Sequence, residues 1–157
     1  MQQEQLKSHV REVHARLVAH ALELSKEGEL GLRDGFILRF ELVTLLVAGA
    51  LYRLRQQGRE DTLQALWDVT FEGFDHSLRQ RGVSDLRIAS RMRKLLRGAT
   101  GRRDVYLTAM EQGDAEGLRQ AIARNVLDNA LERDPRVDRL LVELERVVSE
   151  GEKELSL

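Results

Sequence analysis

No cysteine occurs among the 157 residues of this chain. That absence excludes a disulfide framework, a thiolate metal site and a cysteine nucleophile, and it suits a reducing compartment. Breakers are scarce too: one proline and 12 glycines leave long stretches free to form helices. A long apolar run is also missing. The longest uncharged stretch is LVTLLVAGALY, Leu42 to Tyr52, eleven residues against the roughly 20 needed to span a bilayer. Arg39 and Glu41 lie directly before it, so it reads as a buried helix. The first residues, MQQEQLKSHVREVHARL, alternate acids and bases and contain no apolar core like that of a signal peptide.

What is present is helical periodicity. Apolar residues make up 42% of the chain and charged ones 32%, which is neither a disordered nor a membrane composition, and the length is that of one domain. Leu6, Val10, Val13, Leu17, Ala21 and Leu24 form a first stripe, closed by Gly28 and Gly31. A second runs from Phe36 to Leu54, where Gly49-Ala50 lets another helix approach closely. That neighbour is expected to be the protein's own helix; the sharper alternative is a groove left open for a guest segment. A third helix carries Leu63, Leu66, Trp67, Thr70, Phe71, Phe74 and Leu78 behind an Asp61-Thr62 cap.

Gly82-Val83 reads as a helix stop, and Ser84 or Asp85 as the cap of a fourth helix carrying Leu86, Met92, Leu95, Leu96, Val105, Tyr106 and Ala109. Gly98 and Gly101 are expected to kink or split it. A fifth helix follows Gln112-Gly113-Asp114 and runs to Ala130. Asp134-Pro135 opens a sixth, with Leu140, Leu141, Leu144 and Val148. No run alternates strictly and no hairpin turn separates two β-branched runs. The expectation is an all-α chain of about six helices in a single domain, residues 1–157.

Reactive constellations are weak. His9, His14 and His20 sit five and six residues apart, a spacing that does not gather ring nitrogens, so surface histidines are expected rather than a metal site. Asp75, His76 and Ser77 are consecutive on a helix. Their side chains diverge by about 100° each and cannot bond as a triad. Neither a nucleophile elbow nor a phosphate loop is present. The reading is of a protein that is not an enzyme and uses no cofactor, metal or small-molecule substrate.

The bases say more. Between Arg79 and Arg103 stand nine positive side chains and one acid, Asp85, whereas from Glu132 onward eight acids face five bases. The net charge of −1 conceals this asymmetry. Arg87, Arg91 and Lys94 follow i, i+4, i+7, and Arg97 joins their stripe. Such a stripe suits the phosphates of RNA, anionic lipid headgroups or an acidic partner protein; the plainer reading is a solvated face paired with acids elsewhere in the fold. Aromatic residues, 4% of the chain, are not interleaved with these bases, which counts against stacking on single-stranded nucleic acid.

Several short segments, in order, resemble the ubiquinol–cytochrome c chaperone family over Asp34 to about Ala130. They are Asp34-Gly35, Arg39-Phe40-Glu41-Leu42-Val43, Arg53-Leu54 with Gly58, and Ala65-Leu66-Trp67-Asp68 with Phe71 and Asp75. Leu78-Arg79, Gly82-Val83, Asp85-Leu86 and Arg91-Met92 are the densest part. Gly101-Arg102, Tyr106 and Ala123-Arg124-Asn125 extend it. The family often has His where Leu46 stands here and an aromatic pair at Ala99-Thr100. The segments outside this core are an N-terminal helix and loop (1–33) and a C-terminal helix (132–157).

The resemblance implies an all-α assembly chaperone of a bacterial cytoplasm, working beside the membrane. Its implied client is newly made cytochrome b, or another membrane protein. It also brings in a small helical co-chaperone, the ribosome and the anionic membrane surface as partners. The partner-binding positions expected from stripe and resemblance together are Arg39, Glu41, Asp75, Arg79, Arg87, Arg91, Lys94 and Arg102. The alternative is a nucleic-acid- or ribosome-binding helical module using Arg87 to Arg103.

Overall fold

A computed structural model describes residues 2–26, 28, 30–80 and 86–154. These form six helices: α1 (Gln2–Lys26), α2 (Phe36–Gln56), α3 (Glu60–Gln80), α4 (Leu86–Gln112), α5 (Ala115–Asn125) and α6 (Pro135–Glu154). No strand occurs among the described residues. The protein is all-α, as the periodicity predicts.

Helix α2 lies at the centre and packs against α1, α3, α4 and α6. A helix enclosed on all sides has no use for a polar face, which accounts for LVTLLVAGALY, buried from Leu42 through Leu51. The Thr44 hydroxyl turns inward, Oγ1 donating to the Phe40 carbonyl at 2.8 Å. The close neighbour at Gly49 is α6. A Cβ there would stand 2.7 Å from Leu144 Cδ1 and 3.4 Å from Val147 Cγ1, so the small residue sets how near α6 comes.

The caps follow the local chemistry. Asp114 accepts the Gly117 N–H at 2.9 Å, and Asp134 accepts the Arg136 N–H at 2.9 Å, each meeting an orphan donor of a first turn. The Arg136 guanidinium then donates to the Leu30 carbonyl at 2.7 Å, tying the loop before α2 to the start of α6. Gly58, at φ +71°, closes α2, while the Arg59 N–H reaches back to Leu54 O at 2.9 Å.

Some expectations give way. Helix α3 begins at Glu60, so Asp61 and Thr62 lie inside its first turn rather than capping it. Helix α4 runs through Gly98 and Gly101 without a break, because its packing against α2 and α5 outweighs two glycines. Helix α5 stops at Asn125, short of Ala130. Asp128 and Asn129 then take left-handed φ values of 53° and 64°, a conformation their short polar side chains tolerate, while Arg119 donates to the Glu132 carbonyl at 2.8 Å. Phe71, Val105 and above all Leu86 stand exposed rather than buried. The stop at Gly82-Val83 and the cap at Ser84 or Asp85 lie outside the described residues.

Candidate functional site

Between α1, α2 and α3 the helices leave an open cleft of about 700 Å³. Val18, Leu22, Phe36, Phe40, Val43 and Phe74 make its apolar walls, with His14, Arg39, His76, Ser77 and Gln80 among the polar side chains that line it. Three phenylalanines pack in series, the Phe36 and Phe40 rings 6.4 Å apart and those of Phe40 and Phe74 4.7 Å apart. Phe40 and Phe74 are buried at the base of the cleft, and Phe36 is the more exposed ring. Gly73 permits α1 and α3 to close at one side, since a Cβ there would stand 3.2 Å from the His14 ring. Burial lowers the proton affinity of His14, so it presents a neutral imidazole to the cleft near pH 7. An apolar concavity with a few polar groups among its lining residues is the usual form of a binding site.

The phenylalanine wall is braced from behind by a buried ion pair. Arg102 of α4 presents Nε to both carboxylate oxygens of Glu41 on α2, at 2.8 and 2.9 Å. Its guanidinium also lies 5.8 Å from the centre of the Phe40 ring. Glu41 is 3% exposed. Burial pushes its carboxyl up to about 7, and Arg102 works in the opposite direction. Gly98, one turn before Arg102, makes room for that guanidinium: a Cβ there would come within 2.6 Å of it.

A second buried carboxylate behaves differently. Glu143 of α6, 2% exposed, accepts from His20 of α1 at 2.6 Å, from Arg139 and from Arg146 at 3.4 Å. Burial would raise it, but bonds to Arg139 and His20 prevail and hold it below the ordinary carboxylate value. The expectation of surface histidines is thereby corrected. His20 joins α1 to α6, His14 lines the cleft, and His9 is half-buried with Nε2 lacking a hydrogen-bond partner. Only His76 is fully exposed. Sequence offered one signal for these interior pairs: Glu41 and Glu143 each stand within an apolar stripe, where an acid needs a partner.

The remaining positions singled out by sequence divide by exposure. Arg39 bonds Asp34 through two 3.1 Å contacts, and Asp75 pairs with Arg79 one turn on at 3.0 Å. Arg87, Arg91, Lys94 and Arg97 all face solvent along the first half of α4. Asp75, His76 and Ser77 diverge around α3, as their succession requires. Among the described residues no three His, Asp or Glu side chains gather as a metal site.

The ubiquinol-cytochrome C chaperone family model matches residues 28–150. The chain belongs to that family. No curated protein and no solved structure matches it. The matched range reaches past the 34–130 core to take in nearly all of α6, the helix seated on Gly49. Membership of the ubiquinol-cytochrome C chaperones implies a chaperone role and, with it, a protein client.

Many residues that carry the family likeness prove to hold the fold together. Glu41 binds Arg102. Asn125 donates to the Tyr106 hydroxyl at 3.3 Å, where burial raises the phenol's pKa. Arg103 stacks 4.7 Å above the Trp67 ring. Of the departures, Leu46 and Ala99 are fully buried and fall in the core, whereas Thr100 is exposed on α4. Sequence reasoning raised an open groove along Phe36 to Leu54 only as the alternative and did not locate it, since the cleft's walls come from three helices whose stripes each read as ordinary core.

Proposed function

We propose that this chain is a non-enzymatic assembly chaperone that binds newly made cytochrome b during assembly of the ubiquinol–cytochrome c reductase complex. The α1–α2–α3 cleft is the seat of an apolar client segment. The observation that carries this reading is the cleft: an open, phenylalanine-lined concavity on a protein whose family works on other proteins. Arg39 lines the cleft and is the position that meets a polar flank of the client, whereas the Asp75–Arg79 pair lines a different pocket, between α3 and α4. Glu41 and Arg102 bind each other and act by bracing Phe40.

Deletion in the native host tests the client, with loss of haem-loaded cytochrome b as the expected result; normal levels would sink it. Photo-crosslinking from Val18, which is 37% exposed and can be replaced without opening the core, tests the cleft. Cytochrome b should be captured from Val18 and not from Ser149 on the exposed side of α6.

A second reading, favoured by the exposure of Arg87, Arg91 and Lys94, is binding to ribosomal RNA. The one aromatic of α4, Tyr106, is fully buried, so this would be phosphate binding without base stacking. Affinity would then fall steeply with salt, about tenfold or more per few-fold increase, whereas grip on an apolar segment would not.

A further inference from the structure

Where the end of α3 meets the start of α4, a second open pocket of about 460 Å³ is lined by Arg79, Arg93 and Arg97 above Leu78, Ala89 and Leu96. Asp75 is the one acid among its described lining residues, and it is already bound to Arg79. Arg93 and Arg97, one turn apart, are exposed and make no ion pair or hydrogen bond among the described residues. Among the described residues, the pocket therefore carries three guanidinium groups against one carboxylate, a net charge of +2 beside apolar side chains.

That combination specifies its ligand. Guanidinium forks recognise planar or tetrahedral oxyanions through paired hydrogen bonds. A free phosphate would use the arginines and leave the apolar floor wet. A single-stranded nucleic acid held by base stacking would ask for an aromatic platform, and none stands among the described lining residues. A phosphate joined to hydrocarbon satisfies both parts at once. Leu86, 80% exposed, precedes Ala89 and Arg93 by three and seven residues, so helical geometry places it on the same face of α4. Exposed leucine beside clustered arginine is the pattern of a helix end that enters a lipid interface.

We propose that this α3–α4 pocket binds the headgroup phosphate of an anionic phospholipid, with Arg93 and Arg97 on the phosphate, Leu78 and Leu96 beneath the glycerol, and Leu86 inserted among the acyl chains. The site is separate from the α1–α2–α3 cleft and does not depend on the identity of the client.

The test is flotation of the full chain with vesicles of phosphatidylcholine alone or mixed with phosphatidylglycerol. Binding is expected only to the mixed vesicles. The double variant R93Q/R97Q should lose about tenfold or more, given the usual worth of each base near an anionic surface. R91Q/K94Q removes the same charge from the same helix outside the pocket and should lose much less. Leu86→Ser should weaken vesicle binding several-fold while leaving binding of inorganic phosphate unchanged. Equal losses from the two double variants would reduce the pocket to diffuse surface charge and overturn the proposal. So would binding of inorganic phosphate as tight as that of the vesicles, or a single-stranded RNA oligomer retained where the mixed vesicles are not. All four basic positions are exposed, so circular dichroism should show the variants folded.

Discussion

In the first half of α4, Arg91, Arg93, Lys94 and Arg97 stand in water without an ion pair among the described residues. In the second half, Arg102 grips Glu41, and Arg103 lies on Trp67 and bonds Asp104. The residue types and the helix are the same. What differs is the surface opposite: α2 and α3 offer the second half a carboxylate and an indole, whereas Arg93 and Arg97 of the first half line an open pocket beside the end of α3. An arginine's task in this protein is set by its neighbour across the helix interface and not by its own stretch of sequence.

The largest effect should come from removing Glu41. Glu41→Ala leaves Arg102 without its partner and should cost about 3 kcal/mol in urea unfolding at neutral pH, the low end for orphaning a buried charge because Arg102 keeps some water contact. A loss below about 1 kcal/mol would show the two halves of α4 to be less different than the geometry says.

Next in size is pH. Glu41 titrates near 7 when folded against an ordinary 4.5, so it takes up a proton on folding. Its contribution is fully present below the unfolded value and is lost as pH rises through about 7, a change on the order of 2 to 3 kcal/mol. Glu41→Gln should flatten that part of the stability profile. Glu143, held low by its cations, works the other way: its contribution is present above the ordinary carboxylate value and is lost as pH falls further. Glu143→Gln should therefore spare the neutral limb and remove an acid one.

Smaller still is Gly98→Ala. Alanine favours helix by about 1 kcal/mol over glycine, but its methyl displaces the Arg102 guanidinium. Net stability should move by less than about 1 kcal/mol, while the pH midpoint assigned to Glu41 shifts upward. An unmoved midpoint would mean that Arg102 finds another path to the carboxylate. Smallest of all, alanine at Arg91 or Lys94 should change stability by no more than about 0.5 kcal/mol. A larger loss would reveal a structural partner for the open half.

The legible part of this fold was the part governed by short-range pattern. Six apolar stripes, the Asp114 and Asp134 caps and the enclosure of Leu42 to Leu51 all follow from spacing and residue type within a few turns. Misreadings fell where a partner distant in sequence prevails. His20 reads as a surface residue until Glu143, in the last helix, is placed beside it. Gly98 and Gly101 read as a kink or a split, yet α4, packed against α2 and α5, runs unbroken through both. Glu41 and Arg102, for which helix pairing and partner binding stood open alike, bond one another across 61 positions.

Sequence alone thus determined the helical class, the family and the fact that bases crowd one segment, because periodicity, motif order and local charge are properties of the linear chain. Only the tertiary structure decided which of those bases pair, where three ordinary stripes part to leave a cleft, and which buried carboxylate is held above its ordinary pKa and which below it. Those outcomes depend on what lies across a helix interface, from residues as much as 123 positions apart, and no local pattern encodes that distance.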